Sequence, residues 1–390
     1  MTRPGDCTRP HLLFLVPEDS YFWSHRLDLA RTASDAGFEV SVAAGVREHA
    51  ERIEGEGFGL HPLTFHRGKA NPFLEARSLW RISRLYRKVR PDLVHHVGLR
   101  PILHGTLAAW QAGVPAIVNA FAGLGYAFTG KGAYAAAARG ALRLLPAGAL
   151  APSRCRAIFQ NPEDAEELAQ RGIVPRGISR VVRGSGVDVD LFRPSPEREG
   201  EVQVLLPTRL LRSKGVGEFV EAASRLKARG VRARFVIVGR TDPDSPDSLT
   251  PATVEGWCRE GTVEWQGHLD DMPSALRDSH VVVLPTYYGE GLPKCLLEGA
   301  AAGRALVATD IRGCREIVRH GQNGLLVPPR DAGALAEAIG HLVANPEARR
   351  QMGLRGRAIV EEEFSVRKIS LETMGIYREL LGEARPGKGA

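Results

Sequence analysis

The sequence predicts an α/β protein made of two doubly wound, Rossmann-like domains with parallel sheets. Three observations point to this. Short apolar runs alternate with helical patterns along nearly the whole chain of 390 residues. The runs show no in-out alternation, so they suit strands covered on both faces. The scheme then occurs twice, on either side of the proline-rich Phe192-Arg193-Pro194-Ser195-Pro196.

In the first half, Leu12–Val16, Val40–Ala44, Leu93–His96, Ala116–Phe121 and Ala157–Gln160 have the apolar character of buried strands. Between them, Ser24–Ala36, Ala76–Val89 and Gly105–Ala112 carry helical periodicity. In the second half the strands are Val202–Leu206, Phe235–Val238, Val263–Trp265, Val281–Leu284 and Ala305–Thr309. Its helices are Glu218–Arg229, Met272–Asp278, Pro293–Ala302 and Ala332–Ala344. The expected domains are residues 1–190 and 191–365, followed over 366–390 by a last helix, Val366–Leu381, free to pack back on the first domain. Gly382–Ala390 is expected to fray. Sheets of this kind bind ligands outside the carboxyl ends of their strands, and the two sets of ends are expected to face each other across a cleft.

Composition narrows the function. With 43% hydrophobic and 25% charged residues the chain is ordinary for a soluble protein with two cores. No apolar run is long enough to span a bilayer, and Leu12–Val16 is too short for a signal peptide. Five cysteines, an odd number without metal-type spacing, indicate a reducing compartment. A net charge of +7 favours an anionic partner without saying which.

The chemistry concentrates after Val281-Val282-Val283-Leu284-Pro285. There Glu290 and Glu298 bracket Gly291-Leu292-Pro293-Lys294 and the start of an apolar helix. Strand, glycine loop and helix aim backbone N–H groups at an anion. Carboxylates repel a phosphate, so each suits hydroxyls on the groups flanking it. A diphosphate between two hydroxyl-rich rings is a nucleotide sugar. Thr208-Arg209-Leu210-Leu211-Arg212-Ser213-Lys214-Gly215 adds a guanidinium and an ammonium where a strand gives way to a helix. By itself that segment reads as a solvated basic loop, and the glutamates as helix-start and helix-surface carboxylates. Two features oppose the plainer reading: Gly291 permits close backbone approach, and Glu298 lies among apolar and small residues, where a charge needs a partner.

These residues, with Gly321-Gln322-Asn323-Gly324-Leu325-Leu326-Val327, resemble the retaining nucleotide-sugar glycosyltransferases of family 4, which have the two-domain GT-B fold. Ser24-His25-Arg26-Leu27, Gly98-Leu99-Arg100-Pro101, Gly123-Leu124-Gly125-Tyr126, Phe159-Gln160-Asn161 and Gly184-Ser185-Gly186-Val187-Asp188 are similar to the bacterial branch that extends polyprenyl-diphosphate-linked sugars. The resemblance implies that Glu298 holds the ribose hydroxyls and Glu290 those of the donor sugar. It implies that Arg209 and Lys214 meet the departing diphosphate, and that Gly291 and Leu292 offer backbone N–H groups. On the acceptor side it points to His25, Arg26, Arg100, Gly123, Gly125 and Lys131. One departure stands out: many members have a histidine where this chain has Phe121, with His25, His95, His96 and His104 as possible substitutes.

Other signals are weaker. Gly125–Gly132 nearly spells a P-loop but has Gly132 where a metal-binding hydroxyl belongs, which excludes an NTPase; the loop either holds the acceptor's diphosphate or is a turn. Asp242-Pro243-Asp244 reads as a turn rather than a metal site. Arg77, Arg81, Arg84, Arg87, Lys88 and Arg90 interleave with Leu79, Trp80, Ile82, Leu85 and Tyr86, either as a sheet-packing helix with a solvated face or as a surface for anionic membrane. Tyr134–Leu145 is a second candidate for that surface.

The expected protein is a glycosyltransferase moving a hexose or N-acetylhexosamine from a UDP-sugar to a lipid-linked or other glycan, with retention and without metal or other cofactor. It is expected in the cytoplasm, peripheral on the inner face of the membrane, with no nucleic-acid partner. The alternatives are a sugar-nucleotide epimerase or hydrolase of the same fold, and a transferase with a soluble acceptor. A catalytically silent or nucleic-acid-binding protein is suggested only by the basic charge.

Overall fold

The computed structural model describes residues 9–63, 72–124, 139–243 and 245–382. The chain forms two compact units: residues 1–185 with 369–390, and residues 186–368.

The first unit holds seven strands: β1 (His11–Glu18), β2 (Glu39–Gly45), β3 (Gly59–Pro62), β4 (Leu93–Val97), β5 (Ala116–Phe121), β6 (Cys155–Phe159) and β7 (Ser179–Val181). Their order is β3-β2-β1-β4-β5-β6-β7, all parallel. The second unit holds six: β8 (Val202–Pro207), β9 (Ala233–Val238), β10 (Glu264–Trp265), β11 (Val281–Leu284), β12 (Ala305–Thr309) and β13 (Gly324–Val327). Their order is β10-β9-β8-β11-β12-β13, again parallel. Both sheets follow the doubly wound order, and the winding reverses between β1 and β4 and between β8 and β11. Every residue of β4, β5, β6, β11 and β12 is buried, which is why these strands read as largely apolar runs, although His95, His96, Asn119 and Arg156 are buried among them. The predicted α/β, doubly wound class is the observed one.

Several elements differ from the sequence reading. Ser24–Ala36 is not one helix: it is the end of Asp19–His25 and then Leu27–Asp35, broken at Arg26 (φ −130°, ψ −7°). The break turns Arg26 inward, to 6% exposure, and a long polar side chain gives no apolar cue for that. The helix expected from Gly105 starts at Leu99, so Arg100 lies on its first turn. The edge strands β3 and β7 are too short to show as apolar runs. The helices Pro162–Gln170, Pro251–Arg259 and Pro346–Glu363 were also missed, although each opens on a proline, which is preorganised for a first helical turn. Asn161 and Thr250 cap two of them by accepting the N–H of Asp164 and Thr253.

The Pro72–Val89 helix packs one face on the core and leaves a basic face in solvent. Ile82 and Tyr86 are buried in the core, whereas Phe73 and Trp80 are exposed among Arg77, Arg84, Arg87 and Lys88. The Arg84 guanidinium lies 5.6 Å from the Trp80 ring centroid. Residues Ile369, Met374, Ile376 and Tyr377 of the Val366–Leu381 helix belong to the core that contains β1 and β2.

Candidate active site

In the second unit the winding reverses between β8 and β11, and the loops leaving those strands carry the charged residues singled out above. The β8 loop ends at Gly215, whose φ of +75° and tight fit against the Pro285 carbonyl admit no side chain: a Cβ there would lie 2.1 Å from that oxygen. Two hydrogen bonds tie the loops together. Ser213 O accepts from the backbone N–H of Tyr287 at 2.9 Å and from Thr286 Oγ1 at 3.1 Å. Asp247 fixes Ser213 in turn, accepting from its N–H at 3.0 Å and from its hydroxyl.

This scaffold sets Lys214 Nζ on the Glu290 carboxylate as an ion pair. The Thr286 hydroxyl lies 3.0 Å from the same carboxylate oxygen, so its single proton is shared between Glu290 and Ser213 O. The side chains of Lys214 and Glu290 are only 14% and 12% exposed, so the pair is largely withdrawn from solvent. The ammonium also lies 5.9 Å from the Tyr288 ring centroid. Gly291 follows, and its carbonyl rests against Gly313, where a Cβ would sit 1.7 Å from that oxygen. The Arg312–Ile317 helix therefore props the Glu290 loop from behind.

Glu298 lies on the Lys294–Ala301 helix, 12% exposed at its side chain, with Lys294 Nζ one turn away at 3.5 Å. Burial pushes its carboxyl above the ordinary glutamate range, and the Lys294 charge pulls it part of the way back. Arg209 is placed differently: it is more than half exposed and paired with Asp242 Oδ2 at 2.9 Å. Among the described residues no group of three or more His, Cys, Asp or Glu is placed to hold a metal ion. Burial raises the nearby Cys295 thiol to about 12, so it is protonated at neutral pH and no nucleophile.

The acceptor-side candidates lie in the first unit. His25 Nδ1 pairs with Ser24 Oγ at 2.7 Å and its ring stacks on Tyr21. Arg100 and His104 both meet Glu75, at 3.6 and 3.1 Å. Gly123 has a φ of +93° just past β5. Gly125 and Lys131, with the P-loop-like segment and the start of Tyr134–Leu145, lie outside the described residues. Phe121, where a histidine is common, is stacked on Phe159 with centroids 4.9 Å apart. His96 is internal, bound to Tyr86 Oη at 3.0 Å and Asn119 Oδ1 at 2.8 Å. Sequence reasoning did not find Ser213, Asp247, Thr286 or Gly313, which hold the site without carrying unusual chemistry. The four-residue spacing from Lys294 to Glu298 was legible.

A doubly wound pair of units with paired carboxylates and a lysine at the switch point of the second defines the GT-B class of glycosyltransferases. The solved structures with this fold include a glycosyltransferase from Rickettsia africae (TM-score 0.78, 18% identity, 97% of this chain and 100% of that one). Anabaena HepE in complex with UDP is also similar (TM-score 0.75, 17% identity, 95% and 100%). Residues 11–149 match the family described as glycosyl transferase 4-like, and residues 201–345 match glycosyl transferases group 1. Each half of the chain thus matches a glycosyltransferase family, and the chain is a glycosyltransferase. Among curated relatives, the N,N'-diacetylbacillosaminyl-diphospho-undecaprenol alpha-1,3-N-acetylgalactosaminyltransferase of Campylobacter jejuni is 27% identical over 86% of this chain and 90% of the relative. The phosphatidyl-myo-inositol mannosyltransferase of Mycolicibacterium smegmatis is 28% identical over 92% and 90%.

Proposed function

We propose that this glycosyltransferase moves a sugar from UDP to a hydroxyl of a polyprenyl-diphosphate-linked glycan, with retention of configuration. The observation that carries the reading is the Lys214–Glu290 pair on the loops that leave β8 and β11, with Glu298 one short helix further on. Glu298 accepts hydrogen bonds from the ribose and Glu290 from the donor sugar. Lys214 and Arg209 meet the charge that grows on the diphosphate as it leaves, in place of a divalent ion. The bond from the anomeric carbon to the diphosphate breaks while a bond to the acceptor oxygen forms on the same face. The acceptor proton passes to the departing phosphate oxygen, so no nucleophilic side chain is required.

The acceptor class is supported by the Campylobacter jejuni relative, whose name specifies such a lipid-linked sugar, and by the N-terminal motifs. No helix among the described residues is long and apolar enough to cross a membrane. Reversible attachment through the basic, Trp80-bearing face of the Pro72–Val89 helix is part of the reading.

The test is a panel of nucleotide sugars offered with and without a polyprenyl-diphosphate-linked acceptor, following released nucleotide and product stereochemistry. Acceptor-dependent release of UDP with a retained anomer supports the reading. Equal turnover without acceptor shows an epimerase or hydrolase instead.

A further inference from the structure

The break between the first two helices leaves a charge in an unusual setting. Arg26 is 6% exposed, and Nη1 donates to the His25 carbonyl at 3.0 Å, while Nε is buried without a partner. Among the described residues no carboxylate lies within ion-pair distance of it. On β4, His95 is 1% exposed; its Nδ1 meets the Tyr377 hydroxyl, and its Nε2 is also buried without a partner. Both side chains line one small pocket. A guanidinium withdrawn from water without a counter-charge is costly, as is an unpartnered ring nitrogen. Both costs vanish if an anion occupies the space they share.

The pocket indicates what kind of anion. Ser185 and Ser370 line it from two further elements, and Gly184, with a φ of +78°, bends the chain around it. Donors converging from several directions suit a tetrahedral oxyanion; a planar carboxylate would use a fork in one plane. Burial first, then the Arg26 and His96 charges, hold His95 well below the ordinary histidine range. In the tautomer in which Tyr377 donates to Nδ1, the neutral ring presents Nε2–H to the pocket. Ala120, Ile158 and Val182 place the pocket toward the carboxyl ends of β5, β6 and β7, the ligand-binding end of such a sheet.

We propose that the Arg26–His95 pocket binds one phosphate group, that of the acceptor's diphosphate; this rests on the transfer reading above and assigns the acceptor's charged group to named residues. In this assignment the glycan itself lies outside the pocket.

The experiment uses the full chain. Calorimetry and thermal unfolding are followed with inorganic phosphate and pyrophosphate at fixed ionic strength, in the wild type and in Lys214→Ala, which removes the donor-side cation. Phosphate stabilises both. Arg26→Gln loses the response, and Arg26→Lys, which keeps the charge but not the fork, weakens it about tenfold. Ser370→Leu fills the pocket while leaving Arg26 in place, and it loses the response too, so the conclusion does not hang on a variant that fails to fold. With lipid-linked acceptor, Arg26→Gln and Ser370→Leu raise the acceptor KM at least about tenfold, the worth of a charge-assisted hydrogen bond, with donor KM unmoved. A phosphate response equal to wild type in both variants overturns the site. Loss of that response with unchanged acceptor KM overturns the acceptor assignment and makes free phosphate the occupant. Failure of the chain to bind any nucleotide sugar overturns the transfer reading instead, and is seen separately from either.

Discussion

The Lys214 ammonium and the Glu290 carboxylate, 76 positions apart in sequence, form an ion pair that spans the loops after β8 and β11. Each therefore holds the other in place, and a donor diphosphate entering between these loops must compete for Lys214. In the proposed mechanism, capture of the ammonium by phosphate releases Glu290 to the sugar. On that proposal the pair couples seating of the leaving group to orientation of the group transferred.

Lys214→Ala lowers kcat by about 10²–10³ while weakening UDP binding much less, because the charge that the lysine meets grows in the transition state. Steady-state kinetics beside UDP titration checks this. Unchanged turnover removes Lys214 from the mechanism.

The two glutamates separate by ligand. Glu298→Gln weakens UDP itself, whereas Glu290→Gln leaves UDP affinity nearly intact and depresses transfer. Calorimetry with UDP and with the UDP-sugar resolves the two. Equal loss of UDP affinity in both variants shows that the roles are misassigned.

Lys294 carries a prediction in pH. Burial raises the Glu298 carboxyl and Lys294 opposes that rise, so removing the lysine lifts it further. The charged carboxylate is the form that accepts from ribose hydroxyls. In Lys294→Met, UDP affinity accordingly begins to fall at a higher pH than in the wild type as the solution is acidified. Superimposed affinity profiles would contradict it.

His96 links stability to pH. Burial depresses it to about 4 from an ordinary 6.5, against a smaller opposing effect of its hydrogen bond to Asn119. The unfolded chain therefore binds the extra proton between those values. This contribution is whole above pH 6.5 and is lost as pH falls toward 4, at most about 1.4 kcal/mol per pH unit. His96→Gln flattens unfolding free energy against pH in that window, measured by denaturant titration. A slope as steep as wild type assigns the acid sensitivity elsewhere.

The exposed Phe73 and Trp80, set among arginines, give reversible binding to anionic vesicles at low salt, each basic residue contributing roughly 1 kcal/mol near the surface. Sedimentation with anionic and neutral vesicles tests it, and Trp80→Glu with Arg84→Glu abolishes it. Indifference to anionic vesicles at low salt favours a soluble acceptor.

The strands buried on both faces were the legible part of the fold, because β4, β5, β11 and β12 have no solvent side to impose an in-out alternation on their mostly apolar residues. The edge strands β3 and β7 were not, being short and half-covered. Of the charged residues singled out, Glu298 was readable because a charge among apolar residues asks for a reason, and Glu290 and Lys214 because each sits beside a glycine on a loop between a strand and a helix. Their supports were not: the Ser213 carbonyl acts through its backbone, and Gly313 through the side chain it lacks. Arg26 was singled out by motif, but its burial follows from a helix break that no residue pattern announces.

The chain leaves the first unit at residue 185 and returns to it at 369. On the ribosome this imposes an order. Residues 186–368 emerge as one continuous stretch and can close their core while synthesis continues. The core beside β1 and β2 lacks Ile369, Met374 and Ile376, and Tyr377's place on His95 stays unfilled, until the last helix is released. Truncations near the C-terminus therefore harm the half of the protein that was made first.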